Sequence, residues 1–140
     1  MLAAVLAGLV SLTGCEDEEI TGEVAPELVG PRVAESVLAL DVVDGIPIGI
    51  TDIFLQDELV NLWVHWEALE PPHRVDVVWF DPFETIGETG VDLTSSAREQ
   101  VTVFTLDLTP VSSTGRWEVA VYLDDELMRT HAFLVVQELP

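Results

Sequence analysis

Gly115-Arg116-Trp117-Glu118-Val119-Ala120-Val121-Tyr122-Leu123, then Asp124-Asp125-Glu126, then Leu127-Met128-Arg129-Thr130-His131-Ala132-Phe133-Leu134-Val135-Val136: the reading of this run decides the fold. Trp117, Val119 and Val121 alternate with Arg116, Glu118 and Ala120, the period of two that marks a half-buried strand. The acidic triplet is a turn signal and an apolar run follows it, so the segment reads as a β-hairpin. Two registers compete. A three-residue loop over Asp124, Asp125 and Glu126 pairs Leu123 with Leu127 and sets Trp117 with Phe133 on the core face, but it brings Arg129 and His131 there too. A two-residue loop puts Met128, Thr130 and Ala132 on that face and turns Phe133 outward, because one step of slip flips every side chain. We expect the three-residue loop with a bulge near Arg129, since a bulge resets the parity and lets Phe133 and Val135 point inward.

Upstream of the hairpin the same alternation recurs. Val101 to Leu108 places Phe104, Leu106 and Leu108 on one face. Arg74 to Phe80 turns Val75, Val77 and Trp79 inward, and two weaker strands surround Ile86 and Val91 to Leu93. In Leu59 to Glu67, Val60, Leu62, Val64 and Trp66 share one face and Asn61, Trp63, His65 and Glu67 the other. Ile48 to Phe54 reads as one strand with Ile48, Ile50 and Phe54 inward, and Val33 to Val43 as the first strand, closed by Asp44-Gly45. About seven or eight short strands with turn residues between them and no persuasive helix predict an all-β, antiparallel sandwich over residues 32–140.

The totals narrow the function. Lys plus Arg number 5 against 26 Asp plus Glu, a net charge of -21, so no nucleic-acid partner is expected: affinity for a phosphate backbone comes largely from basic side chains that release counterions. The acid belongs on the surface, where it keeps a protein soluble and attracts cations. One cysteine excludes an internal disulfide.

That cysteine has informative neighbours. Met1 to Val10 is an uncharged apolar run, too short to span a bilayer and suited to the apolar region of a signal peptide, and Leu12-Thr13-Gly14-Cys15 follows. These four residues resemble the lipobox of bacterial lipoproteins. The resemblance implies a diacylglyceryl group on the Cys15 sulfur, with cleavage between Gly14 and Cys15 by a signal peptidase that recognises Leu12, Thr13 and Gly14. The lysine or arginine that usually precedes the apolar run is missing here. Two or three acyl chains would give the stable membrane anchoring that one cannot. Residues 1–14 are then the signal peptide and 15–31 a lipidated linker; Glu16, Asp17, Glu18, Glu19, Glu23 and Glu27, with no basic residue among them and scarce aromatics, predict a disordered acidic tether. The implied location is the bacterial cell envelope, periplasmic or surface-facing. Glu16 follows the cysteine where Asp is a retention signal in some enteric bacteria, which favours the outer membrane. The set Asp44-Gly45-Ile46-Pro47, Trp63 with Trp66, His73 to Trp79, and Gly115 to Val119 looks like the small immunoglobulin-like domains of bacterial envelope proteins, a likeness of core and turn positions that transfers no catalytic residue.

Candidate chemistry is sparse. Ser36, Ser95, Ser96, Ser112 and Ser113 include no G-x-S-x-G elbow, and no acid/base pair stands out among so many carboxylates, so no enzyme and no cofactor are expected. His65, His73 and His131 fall on different elements without an HExxH-like pair, so no zinc site is expected. Asp41 with Asp44, and Asp124 with Asp125 and Glu126, are weak calcium candidates whose spacing matches no EF-hand; the ordinary reading is solvated turn acids. The alternation that buries Trp66 turns Trp63 outward beside His65, and Phe80 projects from the next strand. Such an aromatic patch could bind a glycan or an envelope protein. The competing reading packs Trp63 under a loop. The expectation is a lipid-anchored module for binding or structure, with a carbohydrate-binding module at Trp63, His65 and Phe80 as the alternative.

Overall fold

The computed structural model describes residues 30–138, the side chains of Thr85 and Ile86 excepted. The expectations for Leu12, Thr13, Gly14, Cys15 and the acidic linker fall almost wholly outside them. Among the described residues nine strands follow one another: β1 (Arg32–Val43), β2 (Ile46–Ile50), β3 (Ile53–Leu55), β4 (Leu59–Glu67), β5 (His73–Phe80), β6 (Thr85–Leu93), β7 (Gln100–Asp107), β8 (Gly115–Leu123) and β9 (Glu126–Val136). They form a four-stranded sheet in the order β2-β1-β4-β7 and a five-stranded sheet in the order β3-β9-β8-β5-β6. The protein is an all-β, immunoglobulin-like sandwich. Its pairs are antiparallel but for one: β3 runs parallel to β9, with Ile53 opposite Leu134.

The strand expected over Ile48 to Phe54 is in fact two, one in each sheet. Thr51 and Asp52 carry the chain across. The Thr51 amide donates to the Leu38 carbonyl of the four-stranded sheet, and the Asp52 carbonyl accepts from the Leu134 amide of the five-stranded one. The consequence for burial is unequal. Phe54 is fully buried, whereas Ile46, Ile48 and Ile50 on the edge strand β2 are about half exposed or more, against the expectation that Ile48 and Ile50 point inward. Alternation marks a face, but an edge strand beyond the other sheet's reach has nothing to bury that face against. The two weak strands expected around Ile86 and Val91 are one continuous β6.

The closing hairpin is two-residue, not three-residue. Asp124 and Asp125 both adopt positive φ, 49° and 72°, the mirror-image turn whose twist matches that of the strands, and Leu123 pairs with Glu126. A bulge at Met128 then restores the other parity, so that Val121 faces Arg129 and Trp117 faces Phe133. The expected Trp117–Phe133 pairing and bulge are therefore present, while the expected Leu123–Leu127 pair is replaced. Because the bulge precedes Arg129, both Arg129 and His131 stay on the face that carries Phe133, and each reaches across to β1.

The core forms where the inner faces meet. Val60, Leu62, Val64 and Trp66 from β4 face Val75, Val77 and Trp79 from β5 and Trp117, Val119 and Val121 from β8, all among the buried residues. Phe133 sits at the aromatic centre, its ring 5.6 Å from Phe54, 6.2 Å from Trp79 and 5.9 Å from Trp117. Polar groups that this packing traps are satisfied: Trp66 Nε1 donates to Thr102 Oγ1 at 3.0 Å, and Asn61 donates to the Ala39 and Leu40 carbonyls while accepting from Thr105.

Candidate functional site

A cavity of about 380 Å³ opens at the seam where β1 and β9 approach from opposite sheets. Ser36, Val37 and Leu38 line it from β1, His131 and Ala132 from β9, and Ile50, Thr51 and Asp52 from the crossover. The fold creates this arrangement directly. The bulge at Met128 aims His131 inward, and Ser36 Oγ meets its Nε2 at 2.7 Å. Burial, and then the neighbouring Arg129 charge, hold the His131 imidazole below its ordinary pKa, so at neutral pH it is neutral.

A serine bonded to a neutral histidine is the start of a nucleophilic set, but the remainder is not assembled. Among the described residues no carboxylate hydrogen-bonds His131, whereas a catalytic base needs a third group to orient it. The nearby amides that could stabilise an oxyanion are already used, Thr51 by the Leu38 carbonyl and Leu134 by the Asp52 carbonyl. The geometry ties the two sheets together and leaves a small, partly polar recess. Sequence reasoning found none of this, because Ser36 and His131 are 95 residues apart and meet only through the bulge.

The alternative reading, an aromatic patch of Trp63, His65 and Phe80, does not form; Trp63 packs under a loop instead. Trp63 lies on the outer side of β4, but only 8% of its surface is exposed. The turn between β1 and β2 covers it, and its indole nitrogen donates to the Gly45 carbonyl at 2.9 Å. Phe80 belongs to β5 in the other sheet, so the two rings cannot share a surface. His65 is partly exposed, 6.1 Å from the Trp63 ring, with its Nε2 2.9 Å from Glu99 Oε2.

The acidic turn is equally committed. Asp124 Oδ2 accepts from His73 Nδ1 and Oδ1 from the Arg74 amide, while the Asp124 amide donates to the Arg74 carbonyl. Desolvation pushes the Asp124 pKa up, but the His73 hydrogen bond, the Arg74 amide and the His73 charge outweigh it, and the net direction is down. Its carboxylate therefore braces the turn against β5. Asp41 Oδ1 is bonded to the next amide, that of Val42. Among the described residues, Asp124, Asp125 and Glu126 do not form a group whose oxygens converge, and neither Asp41 nor Asp44 belongs to a group of three such ligands.

No protein-family model and no curated protein matches the chain. Solved structures do. An immunoglobulin-like protein from Pseudomonas aeruginosa is similar at 13% identity and a TM-score of 0.57, over 76% of this chain and 96% of that one. An alkylpurine DNA glycosylase from Pseudomonas fluorescens, solved on DNA containing an abasic-site analogue, is similar at 13% identity and a TM-score of 0.53. The match covers 76% of this chain, which spans only 30% of the glycosylase chain. At these identities the likeness is one of fold.

Proposed function

We propose that this chain is a lipid-anchored protein of the bacterial cell envelope, favouring the outer membrane, whose immunoglobulin-like sandwich serves as a non-catalytic module for binding or structure. The observation that carries the anchoring is Leu12-Thr13-Gly14-Cys15 behind an apolar run and ahead of an acidic stretch that contains no basic residue. Support for a non-catalytic module comes from the seam cavity, where Ser36 and His131 meet without an orienting carboxylate and the nearby amides are committed. A glycan-binding reading loses its motive, since Trp63 is covered and Phe80 lies in the other sheet.

Mass spectrometry of the protein extracted from membranes tests the anchor. The expected species begins at Cys15 and carries acyl chains there. A protein that retains residues 1–14, or a Cys15→Ser variant that stays on the membrane after a high-salt wash, would overturn it. Capture of one defined envelope protein by the wild-type chain, lost when residues of the seam cavity are enlarged, would identify the module as a binding one.

A further inference from the structure

The outer face of the four-stranded sheet brings together three side chains that the sequence keeps apart. His65 and Glu67 are two residues apart on β4 and so project from the same face, opposite to the buried Val64 and Trp66. Antiparallel pairing sets Trp66 against Gln100, so Glu99, the next residue on the β7 side, falls across from Glu67. The donor atoms of His65, Glu67 and Glu99 all lie within 4.8 Å of one another. On the other flank β1 sets Glu35 directly opposite His65 and Arg32 opposite Glu67.

We propose that His65, Glu67 and Glu99 form a binding site for a divalent transition-metal ion of the zinc class. One imidazole with two carboxylates is a borderline donor set that such ions accept, unlike the all-oxygen cage of calcium. The distances suit it: ligands held at about 2.0–2.2 Å from one tetrahedral ion stand about 3.4 Å apart, so closing the group needs only glutamate rotamer adjustments of about 1 Å. His65 Nε2 and Glu99 Oε2 are already 2.9 Å apart, and an ion would replace the proton between them. Arg32 contacts Glu67 Oε1 at 3.0 Å. A carboxylate has acceptor sites on both oxygens, so this contact orients Glu67 without exhausting it, in the manner of an outer-shell partner.

Electrostatics point the same way. Carboxylates facing one another across strands repel, and here Glu67, Glu99 and Glu35 surround one imidazole in a chain with a net charge of -21. A divalent cation held by all three groups relieves that repulsion more fully than the Arg32 contact with Glu67 does. The scaffold is rigid, because β4 is a central strand and the residues that flank the ligands, Val64 and Trp66, are fully buried.

Calorimetric titration of the full-length protein with zinc chloride, and separately with magnesium chloride, decides it. The expected result is one zinc ion bound per chain and no matching magnesium uptake. His65→Gln and Glu99→Gln should each weaken zinc binding by more than the 10- to 100-fold or so typical of outer-shell losses. His73→Gln, on the five-stranded sheet, should leave it unchanged. Zinc uptake that survives both His65→Gln and Glu99→Gln, or that magnesium equals, would show only a diffuse acidic surface and overturn the site, as would no uptake at millimolar zinc. Thermal melts without metal confirm that the variants fold. Should His65→Gln fail to fold, the exposed Glu99→Gln carries the test alone.

Discussion

His73 and Asp124, 51 residues apart, are joined by a 2.6 Å hydrogen bond that locks the closing hairpin to the start of β5. The Glu70 amide donates to His73 Nε2. The ring proton is therefore on Nδ1 and points at Asp124, whose second oxygen takes the Arg74 amide.

Removing that carboxylate should loosen the turn. Asp124 is half exposed, so solvent screening discounts its bonds, and Asp124→Ala should lower stability by about 1 kcal/mol at pH 7. The sign with pH follows from its depressed pKa. The contribution is complete above the unfolded aspartate value of about 3.9 and is lost as pH falls through the lower folded value. Urea midpoints for the two proteins should differ by a constant amount from pH 7 to 5 and converge below about pH 4.

Phe133 contacts three aromatic rings and is 2% exposed. Phe133→Ala should destabilise the sandwich by about 3–5 kcal/mol in denaturant unfolding, the range for a buried phenylalanine. A loss within about 0.5 kcal/mol would place the ring at the surface and contradict the hairpin register.

The seam should respond to acid. His131 is kept neutral in the folded state by burial first and by Arg129 second, while Ser36 is its hydrogen-bond partner and Asp52 lines the same cavity. In the unfolded chain it takes up a proton near the usual pH of about 6.5, so the unfolded state gains protons first and stability declines as pH falls through that value. His131→Gln removes this component. The stability difference between wild type and variant should shift against the wild type between pH 7.5 and 5. Ser36→Ala should cost about 0.5–1.5 kcal/mol at pH 7.5, the net worth of one hydrogen bond.

With 26 acidic residues against 5 basic ones, the chain repels itself. Raising ionic strength from 0.01 to 0.15 M shortens the Debye length from about 30 to about 8 Å, so Tm should rise in a graded way. Calcium and magnesium at matched ionic strength should act nearly equally. A saturable, calcium-only rise in Tm that Asp124→Asn with Asp125→Asn abolishes would make the turn a calcium site.

Much of the core was legible because alternation reports it directly: Val60, Leu62, Val64, Trp66, Val75, Val77, Trp79, Trp117, Val119 and Val121 all point as their parity indicates. The hairpin loop was misread because its two-residue turn contains Asp-Asp and no glycine. What stabilises left-handed backbone there is the neighbouring strand, through Arg74 and His73, which no local pattern encodes. Alternation also could not distinguish an outward side chain from an exposed one. Trp63 points outward and is covered, and Ile48 and Ile50, read as inward, lie exposed on an edge strand. The grouping of His65 with Glu99 spans 34 residues and depends on register, so composition and local spacing are blind to it.

The parallel pairing of Ile53 with Leu134 has a consequence in time. β9 is an interior strand of its sheet and contributes Phe133 to the aromatic centre, yet both of its neighbours are made before it. A nascent chain cannot close the five-stranded sheet until Val136 has emerged, and the Ile53–Leu134 contact must then be found across a long intervening loop. Topologies dominated by such distant pairings fold in about milliseconds to seconds. Until β9 is made, the sandwich has no finished core to commit to.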